Sequence, residues 1–234
     1  MEDAVLLVEG RCDVVFFQNL CCLLDIQGIS IKIPGDCDVE NIRGGGVSKI
    51  PKVLPDLLQE IEDGHIKKLA VVADADHTGI SGGFSERWSQ LTAPIKEVGY
   101  TISLPPDQAY EGNLFKHPEG LPPVGLWLMP DHKNDGMLEN LVKQIVCEGQ
   151  QNDILDKAEK CLDELPVKLF EPQGRQHHRA KATVYTWLAW QEKPGQSLTS
   201  TINPQKPEKN LINLQSPEMQ GFINWLKKVF EETK

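Results

Sequence analysis

The sequence has no Cys-x-x-Cys pair and no Cys/His grouping at zinc-ligand spacing, although it contains Cys12, Cys21, Cys22, Cys37, Cys147 and Cys161. That argues against zinc. Most of these thiols lie in apolar surroundings and are expected to be buried and reduced. No apolar run approaches the roughly 20 residues needed to cross a bilayer, and no leader-like segment precedes Val5-Leu6-Leu7-Val8. No membrane association and a cytoplasmic location are therefore expected. Gly44-Gly45-Gly46 is not followed by Gly-Lys-Ser/Thr and does not fit the dinucleotide fingerprint. Those glycines read either as a backbone approach to a phosphate or as a plain connection. Positive charge is also short: 24 Lys and Arg stand against 34 Asp and Glu, a net −10. Indiscriminate coating of nucleic acid is thereby disfavoured. The balance is uneven, because Leu165 to Asn210 holds seven basic and three acidic residues, about +4, which leaves about −14 elsewhere.

What is present is strand-helix alternation. Apolar strands are expected at 5–8, 29–33, 69–73, 100–104 and 124–129, with helices at 13–24, 50–63, 84–98 and 137–146. The proline-rich stretch Pro105–Pro123 reads as a surface insertion. This pattern predicts an α/β domain over 1–150 with a mostly parallel sheet and helices on both faces. Residues 151–234 read as a small helical C-terminal extension with helices at 152–165, 176–191 and 216–230. A Pro/Ser/Thr/Asn-rich link, Lys193–Asn210, runs between the last two, and Trp187, Trp190 and Trp225 are expected in the core.

The chain is organised around Leu69-Ala70-Val71-Val72-Ala73, an unbroken β-rich run that ends in Asp74-Ala75-Asp76. Open α/β sheets bind ligands at the C-terminal ends of their strands. Side-chain alternation lets both carboxylates face one cation. Glu9 ends the first strand, with Asp13 in the following helical turn, and Asp131 ends the fifth. Asp131, Asp135 and Glu139 are spaced i, i+4, i+8; the plain alternative for them is an acidic helix N-terminus. Such carboxylates repel unless a hard divalent cation, Mg²⁺ or Mn²⁺, neutralises them. Phosphoryl chemistry uses that arrangement, with a further carboxylate moving a proton. His177, His178 and Arg179, beside Lys181, are candidate phosphate contacts, or otherwise a solvated helix start.

VLLVEGRCD, followed about 65 residues later by LAVVADAD, resembles the TOPRIM domain. With MPDHKNDGMLENL and HHRAKATVYTWLAWQEKPG, the likeness extends over nearly the whole chain. It points to small stand-alone TOPRIM-like proteins related to the OLD-family nuclease domain, without an ATPase segment. The resemblance implies a Rossmann-like TOPRIM sheet with Glu9 as general acid/base and Asp74 and Asp76 as Mg²⁺ or Mn²⁺ ligands. It adds Asp13 as ligand for a second metal and Lys181 as the cation that neutralises phosphate. Thr78 departs from the pattern, since many relatives carry a third acid there. The implied activity is hydrolysis of phosphodiester bonds in DNA or RNA. The alternatives are nucleotidyl or phosphoryl transfer to a small substrate, and a non-catalytic subunit binding a partner protein in a defence complex. A homo-oligomer is compatible with each.

Overall fold

A computed structural model describes residues 3–79, 82–102, 112–171 and 178–231. Its centre is β3 (Lys68–Asp74), whose residues 69–73 are all buried. That is what a strand without polar alternation requires, since both its faces must be covered. β1 (Ala4–Leu7) pairs with it in parallel on one side and β5 (Val124–Met129) on the other. β2 (Ser30–Lys32) extends the sheet beyond β1, and β4 (Asn113–Phe115) closes the far edge antiparallel to β5. The order is β2-β1-β3-β5-β4. The chain is thus mixed α/β with a five-stranded, mostly parallel sheet.

Alternate strand residues feed two cores. Val5, Leu7, Leu69, Val71 and Leu126 meet α2 (Ile50–Glu62) and α3 (Phe84–Glu97). Leu6, Val8, Ala70, Val72 and Trp127 meet α1 (Arg11–Leu23), α4 (Leu138–Gln144) and the C-terminal helices α5 (Gln150–Asp163), α6 (Arg179–Ala189) and α7 (Pro217–Phe230). Helix α7 buries Met219, Phe222, Ile223, Trp225, Leu226, Val229 and Phe230. At roughly 1.5–3 kcal/mol each, these side chains supply on the order of 10 kcal/mol gross, comparable with the whole net stability of a domain. Helix α7 is therefore integral to the sheet's core. Gly125 permits its close approach: a Cβ there would stand 2.8 Å from Val229 Cγ2 and 3.0 Å from Trp225 Cζ2.

Three expectations are corrected. Of the strand expected at 100–104, the described residues 100–102 carry only an isolated bridge, Thr101 to Lys116, and 103–104 lie outside the described residues; the fourth strand of the sheet is β4, inside the stretch read as an insertion. The link Lys193–Asn210 contains a 3₁₀ turn, Leu198–Thr201, that buries Leu198 and Thr201 and is held to α1 where Asn19 Nδ2 donates to the carbonyls of Thr199 (3.1 Å) and Ile202 (3.2 Å). Polar composition hid it, because its apolar anchors Leu198 and Ile202 are isolated in sequence. Finally, Cys12, Cys22 and Trp190 are exposed, while Cys21, Trp187 and Trp225 are buried. Neighbours on a helix differ by about 100° in direction, so adjacent Cys21 and Cys22 part ways. Among the described residues no helix is long and apolar enough to cross a membrane.

Candidate active site at the sheet switch point

β1 and β3 lie side by side, but the helices that follow them leave on opposite faces, α1 on one and α3 on the other. That divergence opens a crevice at the strand ends, the usual ligand position in such sheets. Glu9 and Asp74 stand on its two sides. Glu9 Oε1 accepts from the Asp74 backbone N–H at 2.6 Å, so the two strand ends are joined through a side-chain carboxylate. Gly45 makes room for this turn: a Cβ there would lie 2.1 Å from the Glu9 carbonyl oxygen, which accepts from Gly46 N–H at 2.8 Å. The triple glycine thus serves close backbone approach.

Asp13 enters from the first turn of α1, its Oδ2 accepting from Gly10 N–H at 2.9 Å. Asp74 Oδ1 accepts from Leu138 N–H at 2.9 Å, at the start of α4. Glu139, the next residue, is 5% exposed and lies 3.5 Å from Lys181 Nζ of α6. Between Glu9, Asp13 and Asp74 lies a cavity of ≈ 10 Å³, backed by Phe17, Val72, Met129 and Leu138. That is about the room for one water-sized body. A larger cavity of ≈ 690 Å³ opens at the other end of the strands. Its Lys67 pairs with Asp3 and its Lys68 donates to the Phe230 carbonyl, so it gathers no comparable set of acids.

Burial dominates the electrostatics. It pushes the Glu9 carboxyl up to about 8, against the pull of the Asp74 N–H and helped by Asp13 and Asp76. Burial likewise lifts Asp13 to about 6, with Glu139 adding and the Gly10 N–H and Lys181 opposing. Asp74 rises well above the carboxylate range through burial, then through Glu9, Glu139 and Asp13. Burial alone would lower Lys181; Glu139 and Asp74 outweigh it and raise the ammonium.

These shifts carry a stability prediction. Glu9 binds its proton more tightly folded than unfolded, so rising pH favours the unfolded chain until the folded value of about 8 is passed. His132, lowered to about 4 chiefly by burial, acts oppositely but only below its ordinary 6.5, and Asp13 has titrated by about 6. Between pH 6.5 and 8 the metal-free protein should therefore lose stability, read as a falling urea midpoint in chelator. In Glu9→Gln the fall should be smaller; a midpoint that rises with pH in the wild type would contradict the buried acid cluster.

The other anticipated residues divide. The Asp-x-Asp pair does not share one strand face, because β3 ends at Asp74 and Asp76 adopts a left-handed φ of 60°. Asp76 Oδ2 instead pairs with Arg87 Nη2 at 2.7 Å, on α3. Asp131 accepts from the backbone N–H groups of Lys133 (3.1 Å) and Asn134 (2.8 Å), closing its own turn. Asp135 accepts from Thr78 N–H, Thr78 Oγ1 and Phe84 N–H at 2.7–2.8 Å, tying the loop after β3 to the start of α3. Helix α4 begins only at Leu138, so the i, i+4, i+8 spacing does not stack these acids and Glu139 alone reaches the crevice. Arg179 is engaged by Glu171 (2.9 Å) and Asp163 (2.5 Å), pinning α6 to the end of α5. His178 precedes α6 and is exposed; His177 lies outside the described residues.

Sequence reasoning missed two buried polar residues. Arg87 is 4% exposed and also donates from Nε to the Asp74 carbonyl at 3.3 Å. Its one sequence signal is a cation in the first turn of the helix that follows the acidic motif. His132 is 1% exposed; its Nδ1 accepts from Leu128 N–H at 3.0 Å, so Nε2–H donates to Asn113 Oδ1 at 2.7 Å. That neutral ring, packed against Trp127 and Trp88, joins β4 to β5.

Among the described residues no three Asp, Glu, His or Cys side chains form a ready-made cation cage. Glu9, Asp13 and Asp74 each accept from a backbone N–H. The donor chemistry nevertheless fits a hard cation. Glu9, Asp13 and Asp74 are partly buried acids around one small cavity, and one N–H uses one of about four lone-pair positions on a carboxylate. A family model described as "Protein of unknown function (DUF3226)" matches residues 3–231. No curated protein and no solved structure matches the chain.

Proposed function

The chain belongs to the DUF3226 family, and from its own residues we propose a Mg²⁺- or Mn²⁺-dependent nuclease that hydrolyses phosphodiester bonds. The observation that carries the proposal is the meeting of Glu9, Asp13 and Asp74 at the switch point, with Lys181 alongside. The TOPRIM-like spacing of VLLVEGRCD and LAVVADAD supports it independently.

Asp13 and Asp74 would hold the cation. When bound, it supplies Lewis-acid polarisation of the scissile phosphate. In the metal-free protein burial raises the Glu9 carboxyl to about 8, and a bound cation would draw it back toward neutral pH. A group poised there can pass a proton to a departing oxygen and take one from water in the reverse sense. Lys181 is half exposed and held by Glu139, which points a permanent positive charge at the crevice mouth. There it would stabilise the extra negative charge of the phosphoryl transition state. Nucleic acid would approach this mouth against a net charge of −10, so recognition must be local.

The test is single-turnover incubation of labelled single- and double-stranded DNA and RNA with Mn²⁺, Mg²⁺ or chelator. Cleavage of at least one of them, dependent on the metal, is expected. No cleavage of any strand with Mn²⁺ bound would overturn the nuclease reading and favour a small phosphate substrate or a binding role.

A further inference from the structure

The five acids near the crevice are not equivalent. Glu139 has Lys181 at 3.5 Å, and Asp76 has the buried Arg87 guanidinium at 2.7 Å. Glu9, Asp13 and Asp74 accept instead from backbone N–H groups, and Arg87 and Lys181 act on them only through longer-range attraction. Fully ionised, these three leave three negative charges, which one divalent cation would largely neutralise. The cavity among them, ≈ 10 Å³, has room for one small ion. A pair of catalytic metals stands about 3.5–4 Å apart and needs a second set of ligands. Of the two remaining acids, Glu139 is held by Lys181 and Asp76 is directed elsewhere. Its backbone is fixed to Gly136 by paired hydrogen bonds of 2.8 and 2.7 Å, and its carboxylate is turned toward α3. The same Arg87 holds the Asp74 carbonyl, so one guanidinium fixes both ends of the acidic motif. A divalent cation at Asp76 would sit against that fixed positive charge.

We propose, resting on the metal-dependent reading above, that the site takes a single divalent cation. Arg87 is the positioning residue that withdraws Asp76 from the coordinating set. Asp76 then acts as an anchor for the loop between β3 and α3, and the guanidinium occupies the electrostatic place of a second metal.

Mn²⁺ titration of the full chain, with free Mn²⁺ read by electron paramagnetic resonance, tests this without substrate. One ion per wild-type chain is expected. Asp76→Asn should still bind one, with affinity within about 10-fold of wild type, the lower edge of what an outer contact is worth. Arg87→Met should bind two, because the freed carboxylate becomes a ligand. Should that variant fail to fold, Asp76→Asn still decides the question. Two ions in the wild type, or a loss beyond about 10-fold in Asp76→Asn, overturns the inference while leaving the metal-dependent reading intact. No Mn²⁺ on the wild type at all overturns both.

Discussion

Glu9→Gln is expected to lower the single-turnover rate of Mn²⁺-dependent cleavage by roughly 10²–10⁴-fold, the usual worth of general acid–base catalysis. Glutamine keeps the length of the side chain and an oxygen to accept the Asp74 N–H, which Glu9 Oε1 accepts at 2.6 Å. It cannot carry the proton. The closure between β1 and β3 should therefore survive, and Mn²⁺ should still bind through Asp13 and Asp74. The pH profile separates this role from a structural one. The wild-type rate should bend where Glu9 titrates, while the residual rate of the variant should lose that bend. A variant that cleaves at the full rate would remove proton transfer from Glu9.

Much of this site is legible in the amino-acid sequence, and the reason is local. Glu9, Asp74 and the apolar runs before them declare themselves within a few residues, because a strand buried on both faces has nowhere to place a charge except its end. Asp13 follows from the same logic, four residues into a turn that must become helix. Lys181 is reached only by resemblance, because it meets the crevice through α6 packing on α4, more than 40 residues after Glu139. The acids near α4 mislead for a related reason. Periodic spacing has meaning only inside a helix, and Asp131 and Asp135 precede one, each satisfying backbone N–H groups of a loop. Arg87 and β4 are illegible because their partners are distant or brief. A three-residue edge strand among prolines carries no periodic signal, and an arginine discloses burial only once Asp76 turns out of the strand.

Asp74→Asn is expected to act in opposite directions on the metal-free and metal-bound protein. In the wild type desolvation of the partly buried Asp74 carboxylate, then Glu9, Glu139 and Asp13, disfavour its charge. Asparagine retains an oxygen for Leu138 N–H and removes that charge. Relief of that unfavourable charge would raise the metal-free Tm. Mn²⁺ at about 100 times its Kd stabilises a folded protein by about 2.7 kcal/mol, which corresponds to a rise of roughly 5–11 °C in the wild type. Without the carboxylate that rise should vanish. Both effects appear in one experiment: thermal melts of wild type and Asp74→Asn, with chelator and with Mn²⁺. The account predicts that the variant melts higher than wild type in chelator and gains nothing from Mn²⁺. A variant that melts lower in chelator, or that gains as much from Mn²⁺ as the wild type does, would contradict a cation site built on these carboxylates.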